Sequence, residues 1–150
     1  MSPFVFRLEK VRRMRQSMED RAREELATSL AAKRESEEAL GAAHTRVHGA
    51  LDMHRRVAQL SGASAADLLA AQAYLERLES ERSVATRVLD CHEESVHERR
   101  TALASAARDR EALDRLRNRR EAAHRLAAQR ADANVLDELA LRGHERGKAA

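Results

Sequence analysis

The chain has 150 residues, of which 35% are charged and only 2% are aromatic, and its 28 basic and 25 acidic side chains leave a formal net charge of +3. So few large apolar residues exclude a thick globular core, and the scarcity of aromatic residues argues against a β fold. The near balance of charge argues against disorder. Alanine, glutamate, lysine, leucine and arginine make up well over half of the sequence, which is typical of long helices and coiled coils, so we predict an all-α protein.

The first predicted helix covers residues 3–60. Ser2 offers a side-chain oxygen for capping, and Pro3 suits the first helical position because the amide it lacks has no partner there. Gly41 and Gly49 lie inside this helix, where each costs about 1 kcal/mol relative to alanine. They either mark a close contact or are simply tolerated.

A turn signal follows the first helix. Gly62 is suited to end a helix, and Ser64 followed by Asp67 three residues later resembles a capping box that starts a new one. A short turn makes the two helices antiparallel neighbours. We therefore predict a single helical hairpin over residues 1–150, with a helix at 3–60, a turn at 61–65, a helix at 65–141 and a flexible tail at 142–150.

Both helices carry residues at alternating steps of three and four, the spacing of an antiparallel two-helix coiled coil. In the first helix the predicted stripe is Leu26, Leu30, Lys33, Glu37, Leu40, His44, Val47, Leu51, His54 and Ala58. In the second helix it is Leu68, Ala71, Leu75, Leu78, Arg82, Ala85, Leu89, His92, Val96, Arg99, Leu103, Ala106, Arg110 and Leu113.

Folding the hairpin at the turn predicts which residues face each other across it. Leu51 faces Leu75, Leu30 faces Val96, and Phe4 lies near residue 122. The second helix should then extend past the first by roughly 20 residues, or about 30 Å. Steps of four from Met18 to Leu30 predict a stutter that relaxes the supercoil.

The predicted stripes contain charged residues, each of which must reach the edge of the interface or find a partner. These residues are Lys33, Glu37, Arg82, Arg99 and Arg110. The interface is therefore predicted to be weak.

Nothing in the sequence indicates catalysis or a bound cofactor. A two-helix coiled coil has no dry concave pocket, so we expect no enzyme activity, no catalytic residue and no cofactor. His92 and His97 are five apart and point away from each other on a helix, unlike the pair of a zinc protease. His44 and His48 have chelating spacing but no further ligand nearby, so we expect no metal site. Cys91 is interpreted as a small apolar filler.

Arginine clusters near residues 12–15 and 115–120 suggest phosphate contacts, but acidic residues are interspersed and aromatic stacking platforms are missing. We therefore expect a protein partner and no nucleic acid. The chain has no apolar run long enough for a membrane span and no signal core, so we expect it in the cytoplasm.

The two ends of the chain carry a resemblance. The opening Phe4-Val5-Phe6-Arg7-Leu8-Glu9-Lys10-Val11 and the closing Val135-Leu136-Asp137-Glu138-Leu139-Ala140 resemble the ends of the flagellar FliJ family of export stalk proteins. The resemblance covers the whole chain, although only these two motifs are specific at the level of residues. It implies an antiparallel two-helix coiled coil similar to the central stalk of rotary ATP synthases.

This resemblance also implies a function. Members act in the bacterial flagellar type III export apparatus, at the inner-membrane base of the flagellum. Their partners are the export ATPase hexamer, which they stimulate, the cytoplasmic domain of the export gate membrane protein, and export chaperones. The residues implied in contact with the ATPase are Phe4, Phe6, Leu8, Val11, Arg12, Leu136, Asp137 and Glu138.

A second site is implied midway along the second helix, where Tyr74 and Leu78 match an aromatic and leucine pair associated with the export gate. Leu78 also belongs to the predicted stripe, which leaves Tyr74 for contact. On the stretch of the first helix taken to face this pair, where family members often carry aromatic or apolar residues, the sequence has Ala39, Ala43, Arg46 and Ala50. This does not favour a site formed by both helices.

Two other functions fit the same architecture. One is the stalk protein of an injectisome, which gene neighbourhood would distinguish. The other is a general coiled-coil adaptor or nucleic-acid-binding protein, which would show no preference for an ATPase ring and would depend on its basic face more than on Phe6 or Asp137.

Overall fold

The computed structural model describes residues 3–148, and the side chains of residues 3–141. Two long helices account for nearly all of this part of the chain: α1 covers Glu9–Gln59 and α2 covers Ala65–Lys148. They pack against each other, and residues 3–148 contain no strand. The all-α helical hairpin predicted from composition and heptad spacing is confirmed.

Helix α1 begins at Glu9, six residues later than its predicted start at Pro3. The amide of Glu9 donates to the carbonyl of Phe6 at 3.0 Å, and the amide of Arg12 donates to the carbonyl of Leu8 at 2.9 Å. Burial of the Phe6 side chain accompanies this delay, because residues 3–6 are not helical and Phe6 is 6% exposed.

Helix α2 continues as far as Lys148, where the sequence predicted an end at residue 141. Residues 149 and 150 of the predicted tail lie outside the described part of the chain. Gly143 and Gly147, which suggested that end, lie within helix α2. Glycine destabilises a helix by only about 1 kcal/mol per residue relative to alanine, which does not by itself stop a long one.

The turn is held by short-range hydrogen bonds. The amides of Leu60 and Ala63 donate to the carbonyls of Val57 and Leu60, both at 3.2 Å. Ser64 and Asp67 form the predicted capping box: the Ser64 amide donates to the Asp67 carboxylate at 2.9 Å, and the Asp67 amide donates to the Ser64 hydroxyl at 3.2 Å. The first of these bonds lowers the pKa of Asp67.

The predicted role of Gly62 is not seen. No glycine among residues 3–148 has a positive φ, so α1 does not end in the left-handed conformation that glycine favours. The polar backbone groups at the end of α1 are instead taken up by the turn hydrogen bonds, and α2 starts from its own cap.

The hairpin divides into two units, to which both helices contribute. The turn unit is Asp20–Ala104 and contains the turn. The open-end unit is composed of Met1–Glu19 and Ser105–Ala150. Each unit is described by itself below.

The core of the turn unit lies near the turn. Its buried cluster consists of Val47, Ala50, Leu75 and Leu78, with Leu51 packed against it. Leu51 and Leu75 are thus close together, as predicted. Farther from the turn, Ser29 and Ser95 bring their hydroxyl oxygens to 3.4 Å, beside the predicted pair of Leu30 and Val96.

The stripe of α2 was predicted closely, whereas that of α1 was partly wrong. Glu37, His44 and Ala58 are exposed. Ser36 and Ala43, one residue earlier than the first two, are buried instead, at 8% and 3% exposure. Both of these positions carry small side chains. Within α2 the one exposed member of the predicted stripe is Arg99.

Charged residues near the interface of the turn unit have partners on the opposite helix. Lys33 lies 3.0 Å from Glu93, Arg99 lies 2.6 Å from Glu25, and Arg46 lies 3.2 Å from Glu81. The hydrogen bond to Glu93 raises the pKa of Lys33. These pairs lie at the edges of the interface, so they contribute more to register than to stability.

Neither Gly41 nor Gly49 marks a close contact. A Cβ atom added to either residue would have no heavy atom within 4 Å, and both residues are exposed. Of the two interpretations that the sequence left open, simple tolerance is the one the structure supports.

Candidate functional site

The N-terminal segment of the open-end unit lies against α2 as a short non-helical strap, which we define as residues 3–8. Phe6 is buried and Phe4 packs on His124, with ring centroids 5.7 Å apart and planes inclined by 56°. This agrees with the position near residue 122 predicted for Phe4. A small groove is formed by the strap together with Glu9 and Arg117.

Beside the strap, a network of ion pairs replaces apolar contacts between the helices. Arg12 lies 2.9 Å from Glu9 and 3.3 Å from Asp114. The hydrogen bond between Arg12 and Glu9 raises the pKa of Arg12 and lowers that of Glu9. Arg12 therefore stabilises contacts within the chain, in addition to any contact that it makes with a partner.

Farther along the open-end unit, Arg110 pairs with both Glu19 and Asp114, in the second case at 2.5 Å. The hydrogen bond from Arg110 to Glu19 raises the pKa of Arg110. Glu19 is only 2% exposed, whereas Met18, which the predicted stutter placed in the stripe, is 48% exposed. The placement of Met18 was therefore wrong, whereas Ala22, Leu26 and Leu30 are half-buried at the predicted steps of four. Sequence reasoning missed Glu19, although it lies three residues before Ala22 and seven before Leu26, which is the heptad spacing.

The structure sorts the predicted ATPase contacts of the N-terminal motif by exposure. Phe6 is buried within the chain, whereas Phe4, Leu8 and Arg12 are half-buried. Val11 is 38% exposed and faces outwards on α1. Phe6 therefore has to leave its position before it can contact a partner.

The predicted contacts of the C-terminal motif are all accessible. Leu136, Asp137 and Glu138 are exposed. They lie 12 residues or more beyond His124 on the same helix, which corresponds to roughly 18 Å. The structure thus places the two motifs in one unit without bringing them into contact.

An apolar overhang follows the part of α2 that the strap covers. We define it as residues 129–141, all of which are exposed. Its large apolar side chains are between 56% and 66% exposed, and they are Val135, Leu136, Leu139 and Leu141. An uncovered apolar group of this kind on a long helix indicates a surface for a partner.

The turn unit carries an apolar groove of its own. Tyr74 is 46% exposed and lines it, whereas Leu78 is only 4% exposed and belongs to the core. The groove has a volume of about 640 Å³. Its lining residues include Met53, Val57, Leu60, Ala63, Ala70, Ala71 and Tyr74.

The stretch of α1 that was taken to face Tyr74 was wrong. Ala43 and Ala50 are buried in the interface, and Arg46 pairs with Glu81. The residues that line the groove with Tyr74 are instead Met53 and Val57. Tyr74 therefore lies in an apolar groove formed by both helices.

The described residues offer little support for a metal site, a buried cysteine or a membrane span. Among residues 3–141, no group of three or more histidine, cysteine, aspartate or glutamate side chains is placed to hold a metal ion. Cys91 is exposed and does not fill the interface as interpreted. No helix in the described part of the chain is long and apolar enough to cross a membrane.

Comparison with known proteins identifies the family. The family described as "Flagellar FliJ protein" matches residues 4–149, nearly the whole chain. The chain belongs to the FliJ family. No curated protein and no solved structure matched it.

Membership of the FliJ family makes the chain a flagellar export-apparatus protein. The FliJ family is a family of export stalk and adaptor proteins and is not a known enzyme family. The strap and the overhang are thus features of a FliJ protein at the ends where the two sequence motifs lie.

Proposed function

We propose that this FliJ-family chain is a cytoplasmic, stalk-like component of the flagellar export apparatus. It engages the export ATPase hexamer through its open-end unit, stimulates ATP hydrolysis, and works peripherally at the inner-membrane base of the flagellum. The observation that carries the proposal is the overhang, where four large apolar side chains are uncovered within the seven residues 135–141, which include the closing motif.

The physical reason is the cost of leaving apolar surface in water. Burying one leucine or valine side chain is worth about 1.5–3 kcal/mol, so a partner that covers Val135, Leu136 and Leu139 gains binding free energy. Exposed ion pairs contribute only about 0–1 kcal/mol each, so the charges of the same region steer the contact more than they hold it.

We propose a second contact at the turn unit, between the groove that contains Tyr74 and the cytoplasmic domain of the export gate protein. The support is the position of Tyr74, which offers a half-exposed aromatic ring beside Met53 and Val57. Aromatic side chains in apolar grooves are frequent anchors of protein interfaces. Escort of export chaperones belongs to the proposal through the family alone.

The experiment compares ATP hydrolysis by the purified export ATPase with and without variants of this chain. Deletion of residues 135–150 should abolish stimulation, because it removes most of the apolar overhang. Tyr74→Ala, in the other unit, is the matched control and should stimulate like the native chain. Added salt should weaken stimulation where charge steers the contact. If the deletion stimulates normally and Tyr74→Ala does not, the proposed orientation is wrong.

A further inference from the structure

The strap is fixed to α2 by few side chains. Phe6 is its one buried residue, Phe4 is half-buried on His124, and Val5 is 75% exposed. Residues 3–6 form no helix of their own. Compared with the helix that follows it, the strap can leave its position without breaking a ladder of helical hydrogen bonds.

The surface beneath the strap continues the face that the overhang leaves open. Arg117, Glu121 and His124 are half-buried where the strap passes, and Ala128 follows at the same spacing of three and four residues. Two further steps along that face reach the exposed Val135 of the overhang, and a third reaches the exposed Leu139.

Beside the covered surface, which carries Arg117, Glu121 and His124, helix α2 exposes Arg119, Arg120 and Arg125. Residues 117–125 contain Arg117, Arg119, Arg120 and Arg125 against a single carboxylate, Glu121. None of these four arginines forms an ion pair with the described residues. The acidic residue next to the strap, Glu9, is already paired with Arg12.

We propose that the strap is a displaceable cover over the inner half of one continuous docking face on α2, and that a partner segment with an apolar side chain and flanking carboxylates takes the place of Phe6. This inference rests on the proposed function and names the export ATPase as the source of that segment. Docking begins on the open overhang and becomes complete when the strap leaves. The flanking carboxylates pair with the exposed Arg120 and Arg125 beside the covered face, and the apolar side chain is admitted only when the strap leaves.

The test locks the strap in place. In a Cys91→Ser background, Phe4→Cys and His124→Cys put the only two thiols where the two rings now meet. A maleimide crosslinker with a reducible spacer joins them, and the same double variant with both thiols capped by N-ethylmaleimide is the control. Because locking removes the binding-competent population, the ATPase concentration needed for half-maximal stimulation should rise about tenfold or more, and reduction should restore it.

Three results overturn the inference. If the crosslinked protein stimulates like the capped control, the strap does not need to move. If the native chain does not stimulate the ATPase at all, the proposed function fails and this inference fails with it. The third comes from hydrogen exchange on the native chain, which needs no variant. On ATPase binding, amides of residues 4–8 should exchange faster while those of 117–128 become slower, and unchanged exchange in residues 4–8 contradicts displacement.

Discussion

Tyr74 and Leu78 lie one helical turn apart, but the structure gives them opposite roles, and this difference can be measured. Leu78 is 4% exposed in the core cluster, so Leu78→Ala removes buried methyl groups and leaves a cavity. Such substitutions cost about 2–5 kcal/mol, and the small size of this core favours the lower end, about 2–3 kcal/mol. Tyr74 is 46% exposed, so Tyr74→Ala should cost about 1 kcal/mol or less.

The assay follows helical circular dichroism during urea and thermal unfolding. For a chain of this size, Leu78→Ala should lower the melting temperature by roughly 5–10 °C and Tyr74→Ala by only a few degrees. Leu69→Ala is the matched control, because Leu69 is 71% exposed on the same helix and should leave the melting temperature unchanged.

Binding should show the reverse order. Calorimetry with the purified cytoplasmic domain of the export gate protein should find weaker binding for Tyr74→Ala and native-like binding for Leu78→Ala at temperatures where that variant is folded. If Tyr74→Ala is as destabilising as Leu78→Ala, the assignment of Tyr74 to an exposed groove is wrong. Equal stability with unchanged gate binding would instead remove Tyr74 from the proposed gate contact.

Four further predictions concern stability. Gly41→Ala and Gly49→Ala should each raise the free energy of unfolding by about 1 kcal/mol, since both sites are exposed and open. The control Ala42→Gly should lower it by a similar amount. A loss of stability in either glycine variant would reveal a close contact. Ser64→Ala should cost about 1 kcal/mol through loss of the cap. The pKa of Asp67 is lowered in the folded state, so its contribution to the free energy of unfolding is complete above its ordinary pKa of 3.8 and is lost as the pH falls through the folded pKa. Below about pH 4, the stability of Asp67→Asn should therefore change less with pH than that of the native chain. Arg110→Leu should destabilise the open-end unit, because it leaves Glu19 buried without this partner. Combining it with Glu19→Leu should recover the stability. A double variant that is no more stable than Arg110→Leu would contradict a role for the pair.

The sequence predicted the architecture because helix-forming composition and heptad spacing both describe local geometry. The stripe of α2 was read correctly because leucines occupy many of its positions, among them Leu68, Leu75 and Leu89. In α1 the interface includes small residues such as Ser36, Ala43 and Ala50. Small residues carry little hydrophobic signal, so a search that followed the larger side chains selected neighbours one residue away.

The start of α1 and the groove around Tyr74 could not be derived in the same way. The start of α1 depends on the burial of Phe6 against a helix more than 100 residues away in sequence, and local capping rules favoured Pro3. The groove depends on which turn of α1 faces Tyr74, and an error of one or two turns replaced Met53 and Val57 with alanines. Both features are set by tertiary contacts, which local patterns do not contain.

The central claim is that the open-end unit, and not the turn, contacts the export ATPase. It is tested most directly by placing a photoreactive amino acid at Leu136 in the overhang or at Leu60 beside the turn, both of which are exposed, and identifying the crosslinked protein in the native cell. The account predicts that the probe at Leu136 captures the ATPase and that the probe at Leu60 does not. Capture of the ATPase from Leu60, with none from Leu136, would contradict it.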